Sequence, residues 1–360
     1  MEVVRIPTEN PKTDQWRMLG QLAYPTNVGR FLAERDLAAI DARVTEFVVG
    51  CIRQGEAYFS AARGSPLDIS PLLLYYGATN LLGALATLLL GHQPNIRHHG
   101  MKIPDTQVGR IASVEIVPTK PTVGALQCFC GVVCPRCAMP NGVAWTVEEV
   151  LGSLPDLKRD FENCYPQARA YTIPMEIVRR ASTTLERIRS EELSRFQSPV
   201  EAFALVSDFD QAYLEPQCGE RMKRIVLYPR LGSSDIGIYS IVGQKHLEIG
   251  HMKQGRLVSP GQLLMMYMGL FALGHISRYR PELWTPFVRT DETGERLLVE
   301  RFLAVCERYI PNLVLDVMHD RRYQFVYETA GIFEQTVSVT ESDVRSILQE
   351  ELTSFGRREV

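Results

Sequence analysis

Four cysteines crowd one short stretch, CFCGVVCPRC, at Cys128, Cys130, Cys134 and Cys137. A thiolate is a metal ligand, and the Cys134-Pro-Arg-Cys137 spacing lets two thiolates grip one ion. With Cys128 and Cys130 the set reaches the four ligands of a closed tetrahedral zinc site, all from one loop. Cys130, Cys134 and Cys137 also fit CxxxCxxC, the iron–sulfur pattern of radical SAM enzymes. That pattern belongs at the first strand of a βα barrel, and the alternating strand–helix rhythm that should follow is missing here. Structural zinc is therefore the metal chemistry to expect. Ordinary reduced thiols are the plain alternative, and the pattern compels no cofactor.

A second group is Arg97-His98-His99-Gly100-Met101-Lys102. Histidine titrates near neutrality and suits acid/base work. Beside the cations Arg97 and Lys102, His99 is a candidate to act on a phosphodiester, with Arg97, His98 and Lys102 binding it. The plain reading is a histidine capping the preceding helix, where a cation meets the helix dipole. A third group is His275, Arg278, Tyr279 and Arg280. Its guanidinium groups can hold phosphate in a bidentate way, or pair with Glu282. Asn80, a lone amide in an apolar helix, must be hydrogen-bonded. It is either structural or part of the chemistry. Met265, Met266 and Met268 read as core.

The elements that must position these groups centre on Ser70–Gly91. Ser70 reads as N-cap, Pro71 as first helical residue and Gly91 as the left-handed stop. Between them the run is apolar nearly all round, which predicts a helix buried on every side. It is long enough to span a membrane, but Thr79, Asn80 and Thr87 interrupt it and no Lys/Arg flanks it closely. A core helix is expected. Asp36 to Ala62 is apolar at three- and four-residue steps, with Asp36 as N-cap and Gly64 as stop, so the two helices should form an αα-hairpin. Gln262–Ile276 is a second strongly apolar helix, and Thr290–Ile310 is amphipathic.

Around these, residues 1–30 read as an irregular arm broken by Pro7, Pro11 and Pro25. Gly109–Lys120 and Gly124–Val133 read as strands, and Thr146 with Glu149 as a capping box. Tyr171–Phe196 reads as a charged helix. Ala202–Ser207, Arg224–Tyr228 and Ile236–Val242 read as strands of a meander. A strand at Tyr323–Glu328 and a helix near Glu341–Leu352 close the chain. The fold expected is mainly α with a minor antiparallel β portion, around a central buried helical hairpin. Four segments follow: an arm (1–30), the first part of the helical core (31–120), a mixed insertion with the cysteine loop (121–260), and the second part of the core with a terminal helix (261–360).

Composition narrows the function. The chain has 360 residues, is 45% hydrophobic and 22% charged, and carries a net charge of -3, so no global basic field points to nucleic acid or to an anionic membrane. The start shows no signal-peptide pattern, so a cytoplasmic protein with reduced thiols and no membrane partner is expected. There is no P-loop, no GxGxxG after a strand, no HExxH and no GxSxG.

Four blocks in order and spacing, QGEAYFSAA, PLLLYYGATNLLGAL, HHGMK and LGHISRYRPELW, resemble the YaaC-like proteins of bacteria. The resemblance covers roughly residues 25–320. It implies a bacterial cytoplasmic protein that is mostly helical, and it brings no established activity. The cysteine cluster departs from what the family leads one to expect. A helical bundle with His and Arg at helix ends also resembles the HEPN class of metal-independent ribonucleases, found in phage defence and toxin-type systems. That class carries an Arg four to six residues before a His. Here Asn80 with His99, or His275 with Arg278, would stand in for that pair. The expected function is thus a HEPN-like effector acting on RNA. The alternative is a non-catalytic scaffold that binds a protein partner or a small ligand. Either is compatible with a homo-oligomer.

Overall fold

The computed structural model describes residues 2–37, 41–105, 109–119, 123–134, 142–180, 183–188, 192, 214–217, 226–229 and 237–326. The expected strand at Ala202–Ser207, the terminal helix near Glu341–Leu352 and Cys137 lie outside them.

The centre is the hairpin of α3 (Ala42–Ala62) and α4 (Ser70–Leu90). Leu74, Ala78, Leu81, Leu82, Leu85 and Leu88 of α4 are almost wholly buried, each leucine contributing about 1.5–3 kcal/mol. Gly91, at φ 73°, closes α4 and bonds Thr87 O through its N–H. Ile69 is the N-cap, which places Ser70 inside the first turn rather than before it. Among the described residues α4 is the one helix long and apolar enough to cross a membrane, and 67% of its most apolar stretch is buried in the protein.

The pairing of α3 and α4 is close because glycine lies between them. A Cβ at Gly77 would stand 2.5 Å from Phe59 Cδ2. The helix α8 (Gln262–Tyr279) covers another side of α4, with Gly274 set against the Leu72 backbone. The long helix α10 (Glu295–His319) packs on α4 as well. The shorter helices α1 (Pro11–Gly20), α2 (Pro25–Ala33), α5 (Ala125–Val133), α6 (Val147–Gly152), α7 (Lys158–Cys164) and α9 (Pro281–Thr290) complete the shell.

The strands are peripheral. β1 (Glu2–Pro7) pairs in parallel with β13 (Arg321–Val326). β2 (Met101–Lys102), β3 (Glu115–Pro118) and β4 (Trp145–Thr146) form a small antiparallel sheet. A six-stranded antiparallel sheet runs in the order β7-β8-β6-β5-β10-β9, from β5 (Thr172–Arg180), β6 (Thr183–Ile188), β7 (Leu214–Gln217), β8 (Val226–Pro229), β9 (Ile238–Tyr239) and β10 (Lys245–Glu248). β11 (His251–Lys253) and β12 (Arg256–Val258) make a hairpin. The protein is mainly α with a minor, mostly antiparallel β portion.

Several local expectations are corrected. The N-terminal arm is ordered, because Pro11 and Pro25 begin helices instead of breaking them: an N-terminal proline loses no intrahelical bond. Asp36 lies at φ 51° and caps nothing, whereas Asp41 caps α3 by accepting from Arg43 N at 2.9 Å. Gly124–Val133 is a helix, whose buried Leu126, Phe129 and Cys130 follow helical spacing. Tyr171–Phe196 holds strands β5 and β6 where a helix was expected. Thr172, Ile173, Ile177, Val178, Thr183 and Thr184 are β-branched and favour extended chain. Thr146 and Glu149 do form the capping box.

The close hairpin gives a direct test. Gly77→Ala drives a methyl into Phe59 and is expected to cost about 1–3 kcal/mol of unfolding free energy by overpacking. Gly50→Ala, on the same hairpin with nothing within 4 Å, should gain about 0.5–1 kcal/mol from helix propensity. Urea midpoints of the two variants against wild type check the contrast.

Candidate functional site

The loop after α4 is fixed by a helix that sequence periodicity was not credited with. At the start of α5, backbone N–H groups have no partner within the helix. Ala125 N bonds His98 O at 2.9 Å and Leu126 N bonds His99 O at 3.1 Å. Gly100, at φ 77°, makes the turn, and Gln127 Nε2 donates to Gly100 O and Thr119 O at 2.9 and 2.8 Å. The His98-His99-Gly100 loop is thereby pinned between α5 and β3.

His99 then meets α4. Tyr75 Oη lies 2.6 Å from His99 Nδ1 and 3.1 Å from Tyr267 Oη of α8. Both tyrosines are buried. Thr79 donates its hydroxyl proton to Tyr75 O at 2.8 Å, so its oxygen can only accept from Tyr267 Oη, 3.5 Å away. Two proton arrangements satisfy this chain. In one, Tyr267 donates to Tyr75 and Tyr75 to an unprotonated Nδ1, which leaves the His99 proton on Nε2. In the other, His99 Nδ1–H donates to Tyr75, Tyr75 to Tyr267 and Tyr267 to Thr79. Both use the 2.6 and 3.1 Å contacts; the first belongs to neutral His99 protonated on Nε2, and the second admits the imidazolium. Burial pushes Tyr75 well above the usual phenol range and Tyr267 up to about 12, so both keep their protons. Burial, then the neighbouring His98, lowers the His99 pKa.

His275 and Arg278 stand three apart on α8. Phe271 separates the histidines, its ring centroid 5.5 Å from His99 and 6.1 Å from His275. Burial, then Arg280 and His99, lower the His275 pKa. The guanidinium of Arg278 lies 4.8 Å from the Tyr279 ring centroid, and His275 is 4.9 Å from the same ring. His99, Lys102, His275 and Arg278 line one cavity of about 290 Å³, with Tyr75, Tyr76, Phe271 and Tyr279 among its walls. No carboxylate is among the lining residues.

The other candidates fall elsewhere. Asn80 Nδ2 donates to Tyr76 O at 2.9 Å, one turn back on its own helix, and does not line the cavity. Arg97 is exposed beside Asn95. The His98 ring accepts from Gly100 N at 3.0 Å and holds its own loop. Arg280 pairs with Glu282 and lines a separate cavity of about 480 Å³ with Arg110, Asp291 and Glu295. Gly91, not a histidine, closes α4. In the cysteine group, Cys128 and Cys130 sit two apart on α5, a spacing that turns side chains to different faces. Cys134 is disulfide-bonded, a departure from the reduced state expected of every thiol. Among the described residues no group of three His, Cys, Asp or Glu could hold a metal.

A third polar cluster escaped the sequence reading, because nothing local links residue 149 to residue 251. Ser153 Oγ lies 2.7 Å from His251 Nε2, and His251 Nδ1 3.5 Å from Glu149 Oε1. The order resembles a hydrolytic triad, but the surroundings are structural. Ser153 and His251 are 1% and 2% exposed, and Ser153 spends its proton on Glu149 O at 2.6 Å. His251 is stacked on Tyr171 at 3.9 Å, with Trp145 at its edge. Lys253 Nζ completes the group at 2.6 Å from Glu149 Oε1. Burial would raise the Glu149 pKa, but the His251 ring beside it and hydrogen bonds from Lys253 and the Thr146 N–H hold it down to about 2. The cluster fastens the β11–β12 hairpin to α6.

Two expectations follow. A depressed carboxyl pKa stabilises the fold above its unfolded value of 4.5, and that contribution is lost as pH falls from there toward about 2. Glu149→Gln should cost about 2 kcal/mol at pH 7, with the gap to wild type closing over that acid window in urea titrations. Tyr75→Phe removes the hydroxyl that meets His99 Nδ1. Nitrogen-15 NMR should show a neutral Nε2–H tautomer in wild type and a tautomer mixture in the variant.

A family model described as YaaC-like Protein matches residues 30–318. The curated proteins and the solved structures give no match. The matched span takes in α3, α4, the His98-His99-Gly100 loop and α8, which together build the cavity, and it exceeds half of the chain. The chain belongs to the YaaC-like protein family.

Proposed function

We propose that the cavity between α4, α8 and the His99 loop binds an RNA phosphodiester and cleaves it by acid/base catalysis, in the manner of a HEPN-like effector. The observation that carries this reading is the convergence of His99, Lys102, His275 and Arg278 on one cavity with no carboxylate in its lining. Two histidines and two cations suit a nucleophile already present in the substrate, which is the 2′-hydroxyl of RNA. His275, kept neutral by burial and its cationic neighbours, takes the 2′-hydroxyl proton. The oxygen attacks phosphorus, and the bond to the 5′-oxygen breaks. His99, as imidazolium, gives its Nε2 proton to that leaving oxygen while Nδ1–H donates to Tyr75. Lys102 and Arg278 offset the charge that builds on the phosphoryl oxygens. The products are a 2′,3′-cyclic phosphate and a 5′-hydroxyl. His275 and Arg278 are a substitute for the Arg-to-His spacing of that class, and the bacterial cytoplasm is where such a substrate is met.

A second reading has its own support. Neutral His99 offers Nε2–H, a donor suited to holding an anion without taking a proton. On this reading the protein is a non-catalytic module that retains a small phosphorylated ligand.

The test is RNA cleavage by purified protein in chelator. Wild type should release cyclic phosphate ends. His99→Ala and His275→Ala should each slow the reaction by about 10²–10⁴ with unchanged unfolding midpoints. Both histidine pKa values lie below the usual 6.5, so the rate should peak on the acid side of that value. Wild type that leaves RNA intact, or a fully active His99→Ala, would sink the catalytic reading. Retention of a phosphorylated ligand without turnover would leave the second.

A further inference from the structure

The cavity has a second chemical character besides its charge. Tyr279 stands at its rim with 56% of its surface exposed. The ring is braced by the Arg278 guanidinium at 4.8 Å and by the His275 ring at 4.9 Å, which leaves the rest of it to solvent. Tyr76, also in the lining, is half-buried and braced by Tyr58 and Tyr75, each with its ring centroid 5.7 Å away. An exposed phenol ring held between a guanidinium and an imidazole costs little further ordering when a flat ring stacks on it. The cavity, at about 290 Å³, is at the small end of ligand sites and has room for about one nucleotide.

We infer that the site takes single-stranded RNA, with one unpaired base stacked on Tyr279 and the adjoining phosphate between Lys102 and Arg278. The inference rests on the RNA reading above and adds what that reading leaves open. In a duplex each base face is already covered by its neighbours, so no face is presented to Tyr279. In a single strand every base has a free face, and stacking on an aromatic side chain is tolerant of sequence. Arg278 serves both parts: it stiffens Tyr279 by lying against the ring, and it brings positive charge to the phosphate next to the stacked base.

The experiment measures binding apart from cleavage. A fluorescein-labelled, unstructured oligoribonucleotide, 2′-O-methylated throughout, has no free 2′-hydroxyl and survives in the assay. Its affinity for the full-length protein is compared with that of the same strand annealed to its complement. The single strand should bind about tenfold or more tightly than the duplex. Tyr279→Ala should abolish that preference, while Tyr279→Phe, which keeps the ring, should retain it. Equal binding of strand and duplex, or a preference that survives Tyr279→Ala, overturns the inference. The two readings fail separately. Single-strand preference without cleavage of the unmodified strand sinks the nuclease and spares the inference. Equal cleavage of strand and duplex does the reverse. No binding of either oligonucleotide overturns both.

Discussion

A hydroxyl inside an apolar bundle must find a partner or forfeit its hydration. Helix α4 is apolar on nearly every side and is covered by α3, α8 and α10, yet it carries Tyr75 and Thr79 inward. The available partners are Tyr267 of α8, the α4 backbone and the ring of His99. That requirement joins the bundle to the loop beyond it. It sets the distance between α4 and α8, holds His99 against the bundle and settles which of its nitrogens is turned away.

The charge arrangement follows from the same packing. α8 is buried along most of its length and becomes exposed only at Arg278 and Tyr279. Its charged residue Arg278 and its histidine His275 therefore fall in the last turns, near the loop that α4 and α5 hold in place. Two stretches far apart in sequence deliver their cations to one depression, while Arg280, two residues on, has turned toward Glu282 and another cavity.

The parts of this structure that sequence reveals are those with a period. α4 and α8 declare themselves by length and apolarity, and the Thr146–Glu149 box by its spacing. His99, His275, Lys102 and Arg278 could be picked out as types able to do chemistry, but not as neighbours, since their meeting is a tertiary event. Tyr75 and Tyr267 have buried core rings, and nothing local in the sequence marks the Tyr75 hydroxyl as the group that meets His99. α5 was hidden by two cysteines and a glycine in a segment short enough to fit either period. β5 and β6 were hidden by charge, which imitates the solvated face of a helix. The link from Ser153 and Glu149 to His251 had no local trace at all.

The parallel pairing of β1 with β13 ties the first described strand to the last. On the ribosome, β1 is made before the helical core and its partner only after α10 has emerged. Through most of synthesis β1 is an unsatisfied strand edge, able to pair with whatever extended chain comes near. Its Glu2 and Arg5 place opposite charges along that edge and make it a poor template for hydrophobic self-pairing. The pairing thus waits until the helical core between the two strands has been made, and a chain truncated before β13 would leave β1 open for its whole lifetime.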